Sequence, residues 1–389
     1  MIAEEDLLWV ARSQPPVLTV YLNTMAQDPS RHPTVPPGVT WFRREAKSMS
    51  RASSPREAKE LLREVQRVEE FLEGRHPQEK ALAIFAGQKT WKIVPLSGSV
   101  RNEIQWSRPA TGQLFRLLSE RKPYGLVVVD HRGARFFLYL PHQLTLLGEK
   151  QYDIDKSQWK RSDVAHISSG RTRKAQGPGH DLVNDRVEAQ YKHLCAETAD
   201  QMLVLNRQHH FIAVLVVGPE RLVGSIKANF PPSFQERVVS VPEDLGNFSA
   251  ASIGRRLDPV IARCELERQS ANVAHLFTGN PGAIVDPDEV FARLQDGALG
   301  NLVIADNVDF HLHQCTKCEL INRSSDPVCP SCGSARRKVE LLEVLPELAA
   351  AHSTEVEFVT GEPAQILLAK AGGIAGWVRQ EKKAVAGKN

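Results

Sequence analysis

Cys315-Thr-Lys-Cys318 and Cys329-Pro-Ser-Cys332 stand ten residues apart near the end of this chain of 389 residues. Two C-x-x-C knuckles at that separation can wrap four thiolates tetrahedrally around one ion, and zinc is the metal that takes such a set. The short loops, with Gly333 directly after the last cysteine, suit a zinc ribbon. Four thiolate ligands leave no open position, so the metal is expected to be structural. The alternative is a decayed pair of knuckles that no longer holds an ion. Cys195 and Cys264 are the other two cysteines. Both fall at apolar positions of helical patterns and read as core residues. Six cysteines in a chain this long are too few for a disulfide framework.

The length suggests two or three domains. In the first third, Val17-Leu-Thr-Val-Tyr-Leu22 reads as a buried strand, introduced by Pro15-Pro16. Ser54 and Pro55 open a helix whose apolar positions are Ala58, Leu61, Leu62, Val65, Val68 and Leu72. Ala81–Phe85 and Trp91–Val94 follow as strands. Thr24–Val39 is polar and proline-containing and reads as an exposed loop. Trp41, Arg43 and Arg44 are candidates for RNA contact, or an ordinary helix surface.

A second unit begins near Lys122. Tyr124–Val129 and Ala134–Leu140 predict a hairpin around Asp130-His-Arg-Gly133. Phe211–Val217 is continuously apolar and reads as a strand buried on both faces. Arg237–Val241 is a further strand, and a helix is expected from about Ser249 to Glu267. This alternation implies a mixed or parallel sheet flanked by helices. In the last third, Asp286 caps a helix running through Phe291 and Leu294 to Gly297, and Asn301–Ala305 is a strand. Lys338–Val344 and Glu355–Val359 are expected to complete a sheet, with Pro363–Val378 a closing helix.

Between the hairpin and the Phe211 strand lies Ser169-Gly-Arg-Thr-Arg-Lys-Ala-Gln-Gly-Pro-Gly-His-Asp181, basic and glycine-rich. From Val183 the apolar positions Val187, Tyr191, Leu194, Thr198, Met202 and Leu205 recur at helical spacing, a helix of about six turns. Such a stretch is either a solvated surface loop or a cationic tip on a rigid helix. Arg171, Arg173 and Lys174, with Lys160 and Arg161 on the approach, are the candidate RNA-binding cations, with Gln176, Gly177, Gly179 and His180 at the tip. Net charge is only +3, so any nucleic-acid contact comes from local patches. No run of eighteen apolar residues occurs and the start, Met1-Ile-Ala-Glu-Glu-Asp, is acidic, so a cytoplasmic protein is expected.

Taken in order, these segments resemble the bacterial branch of the archaeal and eukaryotic class-1 peptide-chain release factor superfamily, Pelota-like and akin to Balon-type ribosome hibernation factors. The hairpin, glycine loop, long helix and Phe211 strand are similar to the release-factor middle domain. Val290-Phe-Ala-Arg-Leu-Gln-Asp-Gly-Ala-Leu-Gly-Asn-Leu-Val-Ile304 is similar to the start of the C-terminal domain. The resemblance implies an α/β, three-domain release-factor-like architecture, with mixed sheets flanked by helices. The domains would be 1–120, 121–267 and 268–389, the last with a zinc-ribbon insertion at 315–332 holding structural Zn2+.

Peptide-releasing members carry Gly-Gly-Gln at the tip of the middle-domain loop; here Gly177-Pro178-Gly179-His180-Asp181 stands instead. Pro178 locks φ and lacks an N–H, and no glutamine follows the glycines. The resemblance therefore implies a monomeric factor that binds rRNA in the ribosomal A site for hibernation or rescue without peptide release. Elongation factor Tu or another translational GTPase would be its partner, and no membrane is involved. The alternative is peptidyl-tRNA hydrolysis through Gly177, Gly179 and His180, the histidine acting as base.

Overall fold

The computed structural model describes residues 4–24, 37–73, 79–141 apart from 97 and 99, 143–152, and 179–379 apart from 307 and 309; for residues 4, 37 and 179–188 it describes the backbone alone. The chain divides into two units: Met1–Arg121 with Val260–Asn389, and Lys122–Pro259.

The first unit opens with α1 (Glu4–Ala11), β1 (Val17–Asn23), α2 (Pro37–Ala52), α3 (Pro55–Glu73), β2 (Ala81–Ala86), β3 (Trp91–Leu96), β4 (Glu103–Ser107) and α4 (Gly112–Ser119). The sheet order is β3-β2-β1-β4 and every pair is antiparallel, where a mixed sheet was expected. Successive side chains of β1 point to opposite faces. Leu18, Val20 and Leu22 pack with Phe42 of α2 and Leu61 of α3, whereas Val17 and Tyr21 pack with Val10 of α1 and Leu114 of α4. A strand covered on both sides must be apolar throughout, which is why β1 reads as an unbroken run.

Two local expectations are corrected here. The stretch Thr24–Val39 is not all loop: Pro37 starts α2 and Val39 is buried, while 25–36 lie outside the described residues. Leu62 is not in the core face of α3 but 50% exposed. The buried stripe is Leu61, Val65, Val68 and Leu72, and Leu62 lies about 100° from it. The other buried position is Glu64, held by Arg63 at 2.9 Å and Arg67 at 2.7 Å, with Arg67 stacked 4.5 Å over Trp91. Arg43 pairs with Glu69 and Glu73, and Arg44 with Glu45, as an ordinary helix surface does.

The second unit contains β5 (Tyr124–Val129), β6 (Gly133–Leu140), β7 (Gln143–Gln151), α5 (Gly179–His209), β8 (Ala213–Val217), α6 (Glu220–Asn229), α7 (Pro232–Gln235), β9 (Val238–Val241) and the start of α8 (Ala250–Leu276). Its sheet, β7-β6-β5-β8-β9, is antiparallel through β5 and parallel from β5 to β9. Val214 to Val217 are buried on both faces. Cys195, Thr198, Ala199 and Met202 of α5 are buried, and Cys195, Ala199 and Met202 share a core with Val127, Val214 and Val216. Cys264, on α8, is half-buried.

The first unit resumes with the rest of α8, then β10 (Ala283–Ile284), α9 (Pro287–Gln295), β11 (Leu299–Ala305), β12 (His311–Cys315), β13 (Ile321–Asn322), β14 (Arg336–Glu340), α10 (Leu341–His352), β15 (Glu355–Val359), α11 (Gly361–Ala371) and β16 (Ile374–Val378). Asp286 caps α9 by accepting the Glu289 N–H at 2.9 Å. The main sheet is β10-β16-β11-β15, and β13-β12-β14 form a separate ribbon. The stretch Lys338–Val344 does not join the main sheet: β14 belongs to the ribbon, and Glu340 with Glu343 forms the capping box that starts α10. Nor is Pro363–Val378 one helix. Gly372 and Gly373 take φ of 61° and 92°, a left-handed turn open to glycine, and the chain reverses into β16 between β10 and β11.

A Cβ on Gly133 would overlap the Lys150 carbonyl across the β6–β7 pair. Gly133→Ala is therefore expected to destabilise the second unit by about 2–3 kcal/mol. Hydrogen exchange should show amide protection lost across β6 and β7 and kept in β1 and β2.

Candidate functional site

β12 ends at Cys315, and the turn after it brings back Cys318. The second knuckle is closed by the Val328–Ala335 bridge and by Cys329 N–H donating to Ser334 O at 2.9 Å. Gly333, at φ 73°, donates to the Cys329 carbonyl, so the turn closes in a conformation that glycine accepts readily. The four Sγ atoms lie within 4.8 Å of one another, with Cys315–Cys332 at 3.4 Å and Cys318–Cys329 at 3.5 Å. Tetrahedral ligation with metal–sulfur bonds of about 2.3 Å requires sulfur separations of about 3.8 Å. The cysteines are thus placed to hold one metal ion. The N–H groups of Cys318 and Lys317 donate to the Cys315 sulfur at 3.4 Å each and hold its pKa below the ordinary thiol value. The hydroxyl and N–H of Ser334 pull Cys332 down to about 6. Both effects favour the thiolate, the form that ligates a metal; at Cys318 the Leu320 N–H acts the same way but is outweighed by the neighbouring Cys332 and Cys315 sulfurs, which push that thiol up to about 12.

Lys160, Arg161, Arg171, Arg173, Lys174, Gln176 and Gly177 lie outside the described residues. Gly179 and His180 begin α5. What the structure describes is the base from which that segment departs. Tyr152 is 8% exposed and its N–H donates to Arg132 O at 2.7 Å. Its hydroxyl lies 2.9 Å from Thr198 Oγ1 on α5. The Thr198 proton is already given to Leu194 O at 2.7 Å, so Tyr152 is the donor. Lys150 Nζ reaches Glu197 of α5 at 2.7 Å, and this contact holds the Glu197 carboxyl below the usual carboxylate range.

Beside this base is the turn that joins β5 to β6. Asp130 Oδ1 accepts the N–H of Arg132 at 2.7 Å and of Gly133 at 3.0 Å, and Oδ2 meets the Arg132 guanidinium at 3.2 Å. Burial raises the Asp130 pKa, but the N–H donors and the guanidinium outweigh it, so the carboxyl sits below its ordinary value. Arg132 also donates to Asn247, and Arg135 donates to the carbonyls of Leu245, Gly246 and Phe248. These two arginines fasten the segment before α8 to the turn. The Asp130–Gly133 turn is legible in the sequence, whereas its partners are not, and Tyr152 carries no signal beyond being a lone aromatic.

Residues 109–259 match the model described as bacterial archaeo-eukaryotic release factor family 10. Over 288 residues the chain is 25% identical to peptide chain release factor subunit 1 of Methanococcoides burtonii; the match takes in 67% of this chain and 66% of that protein's length. Among solved structures, a ribosome-bound archaeal Pelota is similar at 14% identity, over 97% of this chain and 94% of that one, with a TM-score of 0.42. Dom34 of S. cerevisiae is similar at 9% identity, over 99% and 95%, with a TM-score of 0.39. Residues 109–259 are thus similar to the bacterial archaeo-eukaryotic release factors, and a longer stretch of the chain is similar to an archaeal release factor. Among the described residues no helix is long and apolar enough to cross a membrane.

Burial pushes the Tyr152 phenol up to about 12 from an ordinary 10. The unfolded chain loses this proton first, so the contribution is complete below pH 10 and is lost as pH rises toward 12. It amounts to roughly 2–3 kcal/mol. Tyr152→Phe should cost about 1 kcal/mol at pH 7 and flatten the alkaline fall in stability of the second unit, measured by urea titration between pH 8 and 12.

Proposed function

We propose that this protein is a translation factor that occupies the ribosomal A site without releasing the nascent peptide, in ribosome hibernation or rescue. One observation carries the reading. The release-factor match over 109–259 encloses a segment with Gly177-Pro178-Gly179-His180-Asp181 where peptide-releasing members carry Gly-Gly-Gln. Pro178 offers no N–H, and Asp181 adds negative charge toward a polyanionic substrate. The cations Lys160, Arg161, Arg171, Arg173 and Lys174 contact rRNA phosphates, with Gln176, Gly177, Gly179 and His180 at the tip. The anchored base at Tyr152, Lys150 and Arg132 supports this, because a tip that works at a distance needs a fixed origin.

Three functional parts are proposed, 1–120, 121–267 and 268–389, and a translational GTPase such as elongation factor Tu is the delivering partner. The thiolates of Cys315, Cys318, Cys329 and Cys332 hold a zinc ion with no open position. It supplies folding energy to the ribbon and takes no part in chemistry.

The unaltered protein should cosediment with 70S ribosomes and release no peptide from ribosome-bound peptidyl-tRNA. Release that falls strongly in His180→Ala would instead establish the hydrolytic alternative. Changing Arg171, Arg173 and Lys174 together to Ala should weaken ribosome binding and make the log–log salt dependence shallower by roughly one to three units. An unchanged slope would remove the segment from the interface.

Protein purified without chelator should carry about one zinc per chain. Cys315→Ser should lower that content and the melting of the ribbon, leaving amide protection in the second unit intact.

A further inference from the structure

We propose that the cleft beside Trp9 is a binding site for an unstacked nucleotide of single-stranded RNA. The inference rests on the ribosome-binding reading and gives it a second contact, remote in sequence from the basic segment. On α1, Leu7 and Val10 are buried in the sheet core, but Trp9 is 50% exposed. It lines a cleft of about 550 Å3 with Leu8, Arg12, Gln14, Lys89 and Glu5. An indole left half in water, against a concave and mostly apolar wall, is a flat surface without a stacking partner among the described residues.

The walls are held in place. Lys89 sits in the two-residue turn between β2 and β3, closed by Gly87 N–H to Thr90 O at 2.8 Å and Thr90 N–H to Gly87 O at 3.2 Å. α1 is tied to β3 by Lys92 and Asp6 at 2.5 Å. Arg12 and Lys89 are exposed, and neither has an ion-pair partner among the described residues. Glu5 is the one carboxylate in the lining.

An aromatic face flanked by two unneutralised cations matches a base with its neighbouring phosphates. Every base has a π-face, so stacking on Trp9 tolerates any sequence, and Arg12 and Lys89 follow the backbone. An acidic peptide would use the cations but would leave the indole face without a planar partner.

The test uses the full chain with Arg171, Arg173 and Lys174 changed to Ala, so that the basic segment does not mask the cleft. Binding of labelled oligo(U) and oligo(A), about ten nucleotides long, is followed by anisotropy. Trp9→Leu should weaken both roughly tenfold, and Trp9→Phe should keep most of the affinity. Arg12→Gln with Lys89→Gln should make the salt slope shallower by about 1.4, or about 0.7 per lost single-strand phosphate contact. Ultraviolet crosslinking should place a nucleotide on the tryptic peptide ending at Arg12. The proposal is overturned if Trp9→Leu binds RNA as well as the parent, or if an acidic decapeptide displaces the RNA and binds more tightly in a Trp9-dependent way. Cosedimentation with 70S separates the two levels: loss of the ribosome reading is an unaltered chain that does not sediment. Loss of this inference alone is ribosome and oligonucleotide binding that both ignore Trp9.

Discussion

The carboxylate of Asp130 is the contact on which the second unit depends. Its two oxygens take up two N–H groups and a guanidinium, and so fix a turn that would otherwise leave those donors unpaired. Arg132 of that turn and Arg135 of β6 hold the segment before α8, and the Arg132 carbonyl receives the N–H of Tyr152. One charged group therefore positions both the departure of the basic segment and the start of α8. Gly133 and Gly246 stand where any side chain would collide with Lys150 O or Asp130, so the arrangement admits little relaxation.

The first unit relies on a different device. Its two main sheets carry their most apolar strands, β1, β2, β11 and β16, at the centre. The ribbon of β12, β13 and β14 has only a few apolar residues, Leu312, Ile321 and Val339, facing the core. So thin a module gains little from burial, and the four cysteines at its tip are placed where one metal ion could add to its stability. Arg336 helps by joining strands through the carbonyls of Asp326 and His313 and the side chain of Asn322.

Among the described residues, the charges nearest the core are paired within the protein. Glu64 is buried between two arginines, and Arg268 is shared by Glu265 and Glu357. A net charge of +3 over 389 residues gives little long-range attraction to a polyanion. On the proposed reading, contact with RNA would come from local groups of cations. The rim of the Trp9 cleft, with Arg12 and Lys89, is one such group among the described residues.

Strong local patterns carried much of the fold before any coordinates. The β1 run, the Ser54-Pro55 helix start, the hairpin about Asp130, the Asp286 cap and the paired knuckles each depend on residues close in sequence, where spacing alone decides geometry. The family resemblance was legible for the same reason, as an order of such segments. What tertiary structure decided was everything set by a distant partner. Polar β7 became an edge strand because β6 offered it an open side, and Ile374–Val378 became a strand because β10 and β11 left a place between them. Glu64 could be buried beside the apolar stripe of α3 because Arg63 and Arg67, the latter stacked on Trp91, neutralise it there. Tyr152 became an anchor because Thr198, far along the chain, had already given its own proton to Leu194. Periodicity along a chain specifies which face is apolar, whereas which group meets that face is a property of the folded chain alone.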